Sequence, residues 1–228
     1  MQKVENIDET PAFAKHVLPA VPSSEVYLED CVKALKRFDD NYFDVAIVDP
    51  PYGIGEDGGK ARTRGSKRTN GEKKGWDNQR PNAEYFSELL RVSKNQIIWG
   101  GNYFISRLPY DSSCWLVWDK NNGNNDNADA ELAWTSFNTA VRKYTKHISS
   151  TFKDRIHPTQ KPKELYKWCL NNYAKEGDLI LDTHLGSGSS RIACNELNFA
   201  FTGFEIDKDY YEAQEKRFKD FVSQLRMF

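Results

Sequence analysis

"LILDTHLGSGSSRIACNEL", residues 179–197, runs from four apolar-flanked strand residues through a carboxylate and a glycine turn into a helix-forming stretch. The short apolar run reads as a buried strand, and the residues after Gly188 read as a helix. Gly186 and Gly188 let the backbone pass close to a ligand at the carboxyl end of the strand, where open α/β sheets bind their ligands. The next stretch, "FAFTGFEID" (199–207), ends a second strand in Glu205, about twenty residues on, placed to accept both hydroxyls of a ribose. Together these features point to a nucleoside-containing cofactor. Its class is narrowed by what is missing. Arg191 stands where a third glycine of G-x-G-x-x-G would be, and no Lys-Ser/Thr pair follows, so phosphates are poorly served. Asp182 would repel a pyrophosphate, but it suits the positive sulfonium and amine of S-adenosylmethionine. On this stretch alone, a plain strand-to-helix turn capped by Asp182 is the alternative.

Outward from the turn, strands alternate with helices. "EVYLED" (25–30), "FDVAIVD" (43–49), "NQIIWGG" (95–101) and "CWLVWDK" (114–120) read as strands. "AELAWTS" (130–136) and "TAVRKYTK" (139–146) read as further strands at one edge. "CVKALKRF", "PNAEYFSELLRVSK" and "PKELYKWCLNNYA" carry apolar residues at helical spacing, as does the segment from Lys208. Pro81 suits a helix start, and Gly177 is placed to cap the third of these helices. The alternation predicts an α/β fold with a mainly parallel sheet. Residues 1–22 read as a loosely tied arm and 23–228 as one domain. The 228 residues carry a net charge of −1 with pI ≈ 6.4, so a polyanion partner needs local charge clusters. Cys31, Cys114, Cys169 and Cys194 lack metal-ligand spacing, which predicts neither zinc nor disulfides and fits a reducing cytoplasm. No apolar run is long enough for a membrane span, and no export signal is recognisable.

A second stretch, "VAIVDPPYG" (45–53), ends a strand in a carboxylate, two prolines and a tyrosine. Proline fixes its own φ and extends the residue before it, so Asp49 and Pro50 are both held extended. The Asp49 carboxylate and the Pro50 carbonyl become two aimed acceptors beside the Tyr52 ring. Two acceptors and a stacking ring match the exocyclic amino group of a nucleobase.

This combination resembles the amino-group DNA methyltransferases, which methylate adenine N6 or cytosine N4. The resemblance rests on Asp49-Pro50-Pro51-Tyr52, the later glycine turn and "HPTQKP" (157–162) just before that turn, and it covers roughly residues 25 to 220. With the catalytic tetrapeptide first, it looks like the circularly permuted beta class. "NADAELAWTSF" and "LDTHLGSGSS" are similar to small phage-type and prophage-type members. The implied fold is a single-domain Rossmann-like methyltransferase, with a mostly parallel seven-stranded-type sheet and helices on both faces. The resemblance implies that Asp49 and Pro50 bind the target amino group, that Pro51 belongs to the same catalytic tetrapeptide, and that Tyr52 stacks on a flipped base. It implies that Asp182, Gly186 and Gly188 hold the methionine part of the cofactor, with Asp49 close by. Glu205 would take the ribose, Asp30 would reach the adenine, and Lys161 would lie near the cofactor carboxylate. Where the family has Pro-Phe after the turn aspartate, this chain has Thr183-His184, and either the imidazole contacts the cofactor or it fills space.

The implied reaction is direct methyl transfer to adenine N6 in duplex DNA, with the base flipped out because a paired base is unreachable. Cytosine N4, an RNA or protein amide, and a catalytically silent DNA-binding relative remain open alternatives. For DNA, "GGKARTRGSKRTNGEKKGW" (58–76) sets seven lysines and arginines against one glutamate. Lys60, Arg62, Arg64, Lys67, Arg68, Lys73 and Lys74 are expected to meet phosphates, with Trp76 wedging or stacking. A second DNA-contacting loop is expected at about 120–150, with Arg142 and Lys143. A homodimer and a separate cognate restriction endonuclease are the further partners the family suggests.

Overall fold

A computed structural model describes residues 22–57, 74–123, 128–147 and 155–225. The expected N-terminal arm, and most of the two expected DNA loops' tips, lie outside the described residues.

Among the described residues eight strands form one sheet in the order β1-β8-β7-β2-β3-β5-β4-β6. They are β1 (Ser24–Leu28), β2 (Phe43–Val48), β3 (Ser93–Trp99), β4 (Leu116–Asp119), β5 (Ala130–Thr135), β6 (Arg142–Thr145), β7 (Leu179–Asp182) and β8 (Ala200–Glu205). The helices are α1 (Cys31–Leu35), α2 (Ala83–Val92), α3 (Lys163–Tyr173), α4 (Ser189–Glu196) and α5 (Lys208–Leu225). The expected α/β fold is present, with eight strands rather than seven. Five of the seven strand pairings are parallel, and only β5 runs antiparallel to its neighbours β3 and β4.

Strand β2 shows why an unbroken apolar run belongs here. Val45 and Ile47 pack into one core with Leu165 and Cys169 of α3 and Ala193 of α4. Ala46 and Val48 point the other way, into a core with Ala34 and Leu35 of α1 and Phe86 and Leu89 of α2. Helices therefore cover both faces, and a central strand has no wet side to mark with polar residues.

Three details differ from the sequence reading. Strand β5 is inserted between β3 and β4, so of the two strands expected at one edge only β6 is an edge strand. Helix α2 is capped by the Asn82 side chain, which accepts from the Tyr85 N–H, so Pro81 precedes the cap. Helix α3 ends at Ala174, and Gly177, at φ 88°, serves the turn into β7 instead.

Candidate active site

The carboxyl ends of β1, β8, β7 and β2 meet along one edge of the sheet, and each ends in an acid: Asp30 just beyond β1, Glu205, Asp182, and Asp49 just beyond β2. A cavity of about 510 Å³ opens over these ends. Asp30, Asp49 and Glu205 line it, and buried Asp182 adjoins it through the lining residues Thr183 and His184. Parallel strands share a direction, so their ends gather acids from distant parts of the chain at one place.

The turn after β7 is built by its own hydrogen bonds. Asp182 is buried and accepts from the His184 N–H at 3.0 Å and the Ser190 hydroxyl at 2.6 Å. Burial pushes its carboxyl up to about 7, against those two donors, and the charges of Asp49 and Glu205 push the same way. Gly186 sits at φ 51°, where a side chain would be strained, and its N–H donates to Glu205 at 2.8 Å. The other Glu205 oxygen accepts from the Asp207 N–H at 2.8 Å. Each oxygen is thereby fixed and keeps a second lone pair for a ligand hydroxyl.

Thr183 and His184 form part of the wall. The Thr183 hydroxyl lies 2.7 Å from the Tyr85 hydroxyl and 2.9 Å from His184 Nδ1. The imidazole meets the Tyr85 ring edge-on at 5.2 Å, and burial lowers its pKa to about 4, so it is neutral. Asp30 lines the cavity while one of its oxygens caps α1 through the Lys33 N–H.

At the other end lies a polar cluster around Asp49. The Tyr52 hydroxyl donates to Asp49 Oδ1 at 2.7 Å. Lys161, 4% exposed, donates to Asp49 Oδ2 at 2.5 Å, Glu131 Oε2 at 2.9 Å and the Tyr52 oxygen at 3.1 Å. Lys120 pairs with the other Glu131 oxygen at 2.7 Å. An ammonium has three hydrogens, and all three are used here. Lys161 is thus held by Asp49, Tyr52 and Glu131, and no hydrogen is left for the cofactor carboxylate expected beside it. Burial favours neutral Asp49 and raises its pKa, opposed by Lys161 and helped by Glu131. Burial alone would raise Glu131 too, but Lys161 and Lys120 outweigh it and hold its carboxyl down at about 2.

Pro50 is buried and Pro51 lines the cavity. The Tyr52 ring stacks on Tyr103 with centroids 4.9 Å apart and meets Phe104 edge-on. Gly100, at φ 71°, passes so close that a Cβ there would come within 2.1 Å of the Tyr52 ring. Tyr52 is held by packing as well as by its hydroxyl.

Lys74 and Trp76, expected on a DNA-contacting arm, are built into the cavity rim. Lys74 reaches Asp207 at 2.8 Å and Asp209 at 2.6 Å and lies over the Tyr210 ring. Those two acids lie 133 and 135 positions ahead of it, so local charge density could not reveal them. Trp76 lines the cavity beside His157, centroids 5.1 Å apart, and His157 packs on Tyr210. Arg142 and Lys143 lie exposed on edge strand β6, with Lys143 paired to Asp119 at 3.1 Å. Lys60, Arg62, Arg64, Lys67, Arg68 and Lys73 lie outside the described residues. The two chain segments that flank them are fastened together beside the site: Asp57 accepts from the Gly75 N–H, and Asp77 accepts from the N–H groups of Gly53 and Glu56. Among the described residues no cluster of His, Cys, Asp and Glu could hold a metal ion, and no helix is long and apolar enough to cross a membrane.

Glu131, Lys120, Tyr85, Tyr103 and Gly100 join the site without having stood out in the sequence. A lone glutamate in the otherwise apolar "AELAWT" is the one signal the sequence offers for them.

Comparison with known proteins agrees with this geometry. The family model described as DNA methylase, covering N6 and N4 methyltransferases, matches residues 99–216. The Type II methyltransferase M.HpaI of Haemophilus parainfluenzae is 28% identical over 82% of this chain and 72% of its own length. The crystal structure of the M1.HpyAVI–SAM complex superposes with a TM-score of 0.59 at 19% identity, covering 85% of this chain and 98% of that one. The cytosine-N4-specific PvuII DNA methyltransferase gives 0.55 at 15% identity, covering 91% and 90%. At these identities the two structures speak for the fold.

Proposed function

The chain belongs to the DNA methylase family of N6 and N4 methyltransferases, and from that membership we propose that it methylates the exocyclic N6 of adenine in duplex DNA, using S-adenosylmethionine. The observation that carries this reading is that Asp49 and Pro51 line the same cavity as Gly186 and Glu205, with the Tyr52 hydroxyl donating to Asp49.

The residues present fit that cofactor. The cavity is lined by Asp30, Asp49, Glu205 and Asp207, with Asp182 buried behind its wall, while Lys161 is spent on protein acceptors and Arg80 donates to the Tyr52 carbonyl at 3.1 Å. Such a lining suits a cationic, phosphate-free ligand. Asp182 would serve the positive charge of its methionine part, Glu205 the ribose hydroxyls and Asp30 the adenine. Gly186 and Gly188 would bring the backbone close, with Thr183 and His184 as wall. When bound, S-adenosylmethionine supplies a methyl group on a positively charged sulfur.

The protein's own part is alignment. Asp49 and the Pro50 carbonyl accept the two hydrogens of the target amino group, which favours the pyramidal nitrogen whose lone pair is free to attack. Holding reactants in line supplies a large share of such accelerations, and no protein nucleophile is needed. The base has to leave the helix to reach Asp49. Cytosine N4 presents the same two hydrogens, and the likeness to the PvuII enzyme keeps it as the second reading.

For the substrate, the basic stretch 60–73 and Arg142 are proposed to meet phosphates, the former because the segments on either side of it are fastened together beside Tyr52. Incubation of duplex DNA with methyl-labelled S-adenosylmethionine tests the reading. Label in DNA that disappears with Asp49→Ala is expected; label in RNA or protein alone would overturn it.

A further inference from the structure

The cluster around Asp49 contains one carboxylate that the reaction as described does not use. Glu131 comes from β5, the strand inserted antiparallel between β3 and β4, and reaches the site from the side opposite the cofactor turn. It takes the Lys161 ammonium at 2.9 Å while that ammonium also touches Asp49 at 2.5 Å. Lys120 holds its other oxygen. The cluster is two acids and two lysines in an alternating chain of contacts: Asp49, Lys161, Glu131, Lys120.

We infer that Glu131 is a positioning residue for methyl transfer: by sharing Lys161 with Asp49, it keeps the Asp49 carboxylate basic enough to take the proton that the methylated nitrogen must lose. The inference rests on the methyltransferase reading above. As the C–N bond forms and the methyl–sulfur bond breaks, its electron pair leaving on sulfur, positive charge builds on the amino nitrogen. Neutrality returns when one N–H bond breaks, its electron pair stays on nitrogen, and the proton forms an O–H bond with Asp49. A carboxylate facing an unshared ammonium would be a poor acceptor for that proton. With Glu131 drawing the ammonium the other way, Asp49 keeps both its place and its affinity for a proton. Burial and Glu131 raise its pKa while Lys161 lowers it. The other titratable groups facing Asp49 are Tyr52, Tyr85, Tyr166 and Asp182. Burial holds the three tyrosine hydroxyls protonated across the working pH range, with or without the Glu131 charge.

The test is single-turnover methyl transfer to duplex DNA by Glu131→Gln, which keeps shape and an acceptor for Lys161 but removes the charge. The rate is expected to fall about tenfold, as a weakened proton acceptor would give, and its acid limb to move to lower pH. Affinity for S-adenosylmethionine, measured by calorimetry, should stay within about threefold and shows that the variant is folded. Glu131→Asp, which restores the charge, should regain part of the rate and return the acid limb towards its original position. A Glu131→Gln enzyme with the parent rate and acid limb overturns the inference, as does a fall in rate with an unmoved limb that Glu131→Asp does not repair. Failure of the unaltered protein to methylate any DNA would instead sink the methyltransferase reading.

Discussion

The Lys161 ammonium lies 2.5 Å from Oδ2 of Asp49, joining residues 112 positions apart. It ties the loop before α3 to the end of β2. The pair is buried, so removing either member leaves an uncompensated charge, which is far more damaging than loss of a surface pair. Lys161→Met is expected to cost about 3 kcal/mol or more of stability, seen as a lowered midpoint in urea. A midpoint unchanged within error would show that the pair contributes nothing.

Asp49→Ala should abolish methyl transfer, with a loss of at least about a hundredfold in kcat, as removal of a group acting on the reacting atoms typically gives. Cofactor binding should persist, because the acids proposed to hold the cofactor sit at the ends of β1, β7 and β8. A variant that transfers normally would remove Asp49 from the chemistry.

Gly100→Ala is the sharpest packing test. The new Cβ would strike the Tyr52 ring at 2.1 Å, and the backbone stays at φ 71°. Displacement of Tyr52 should lower activity and cost about 1–3 kcal/mol of stability. Normal activity with normal stability would mean that the ring is free to move aside.

The titration of Asp182 sets a pH dependence. Its folded pKa of about 7 lies above the ordinary value of 3.8, so near neutral pH a large fraction of the free protein carries the proton. A cationic ligand binds the ionised form better. Binding should release a fraction of a proton at pH 7 and none well above it, with affinity rising as pH climbs to about 8. Calorimetry in buffers of different ionisation heat measures the released proton. Its persistence in Asp182→Asn would assign the effect elsewhere.

Trp76→Ala and Lys74→Ala should weaken cofactor binding more than DNA binding, because both side chains are engaged at the cavity rim. For Trp76 the loss is expected to be about tenfold, the scale of one aromatic pairing. By contrast, neutralising Arg62, Arg64, Lys67 and Arg68 together should flatten the salt dependence of DNA binding by up to about 0.9 in slope for each phosphate left without its cation. An unchanged slope would mean that this stretch does not touch DNA.

The strands buried on both faces are legible in the sequence because an unbroken apolar run such as Val45–Val48 has few other uses. Asp49 and Asp182 are legible because each follows such a run directly. What escapes depends on residues far apart in the chain. Glu131 joins the site only because β5 is inserted between β3 and β4, and Gly100 matters only because the Tyr52 ring lies against it. The partners of Lys74 escape for the same reason, since Asp207 and Asp209, which bind it, belong to the far end of the chain.

Mass spectrometry of nucleosides from duplex DNA treated with the protein and S-adenosylmethionine tests the central claim most directly. The account predicts N6-methyladenine. N4-methylcytosine without N6-methyladenine would contradict it.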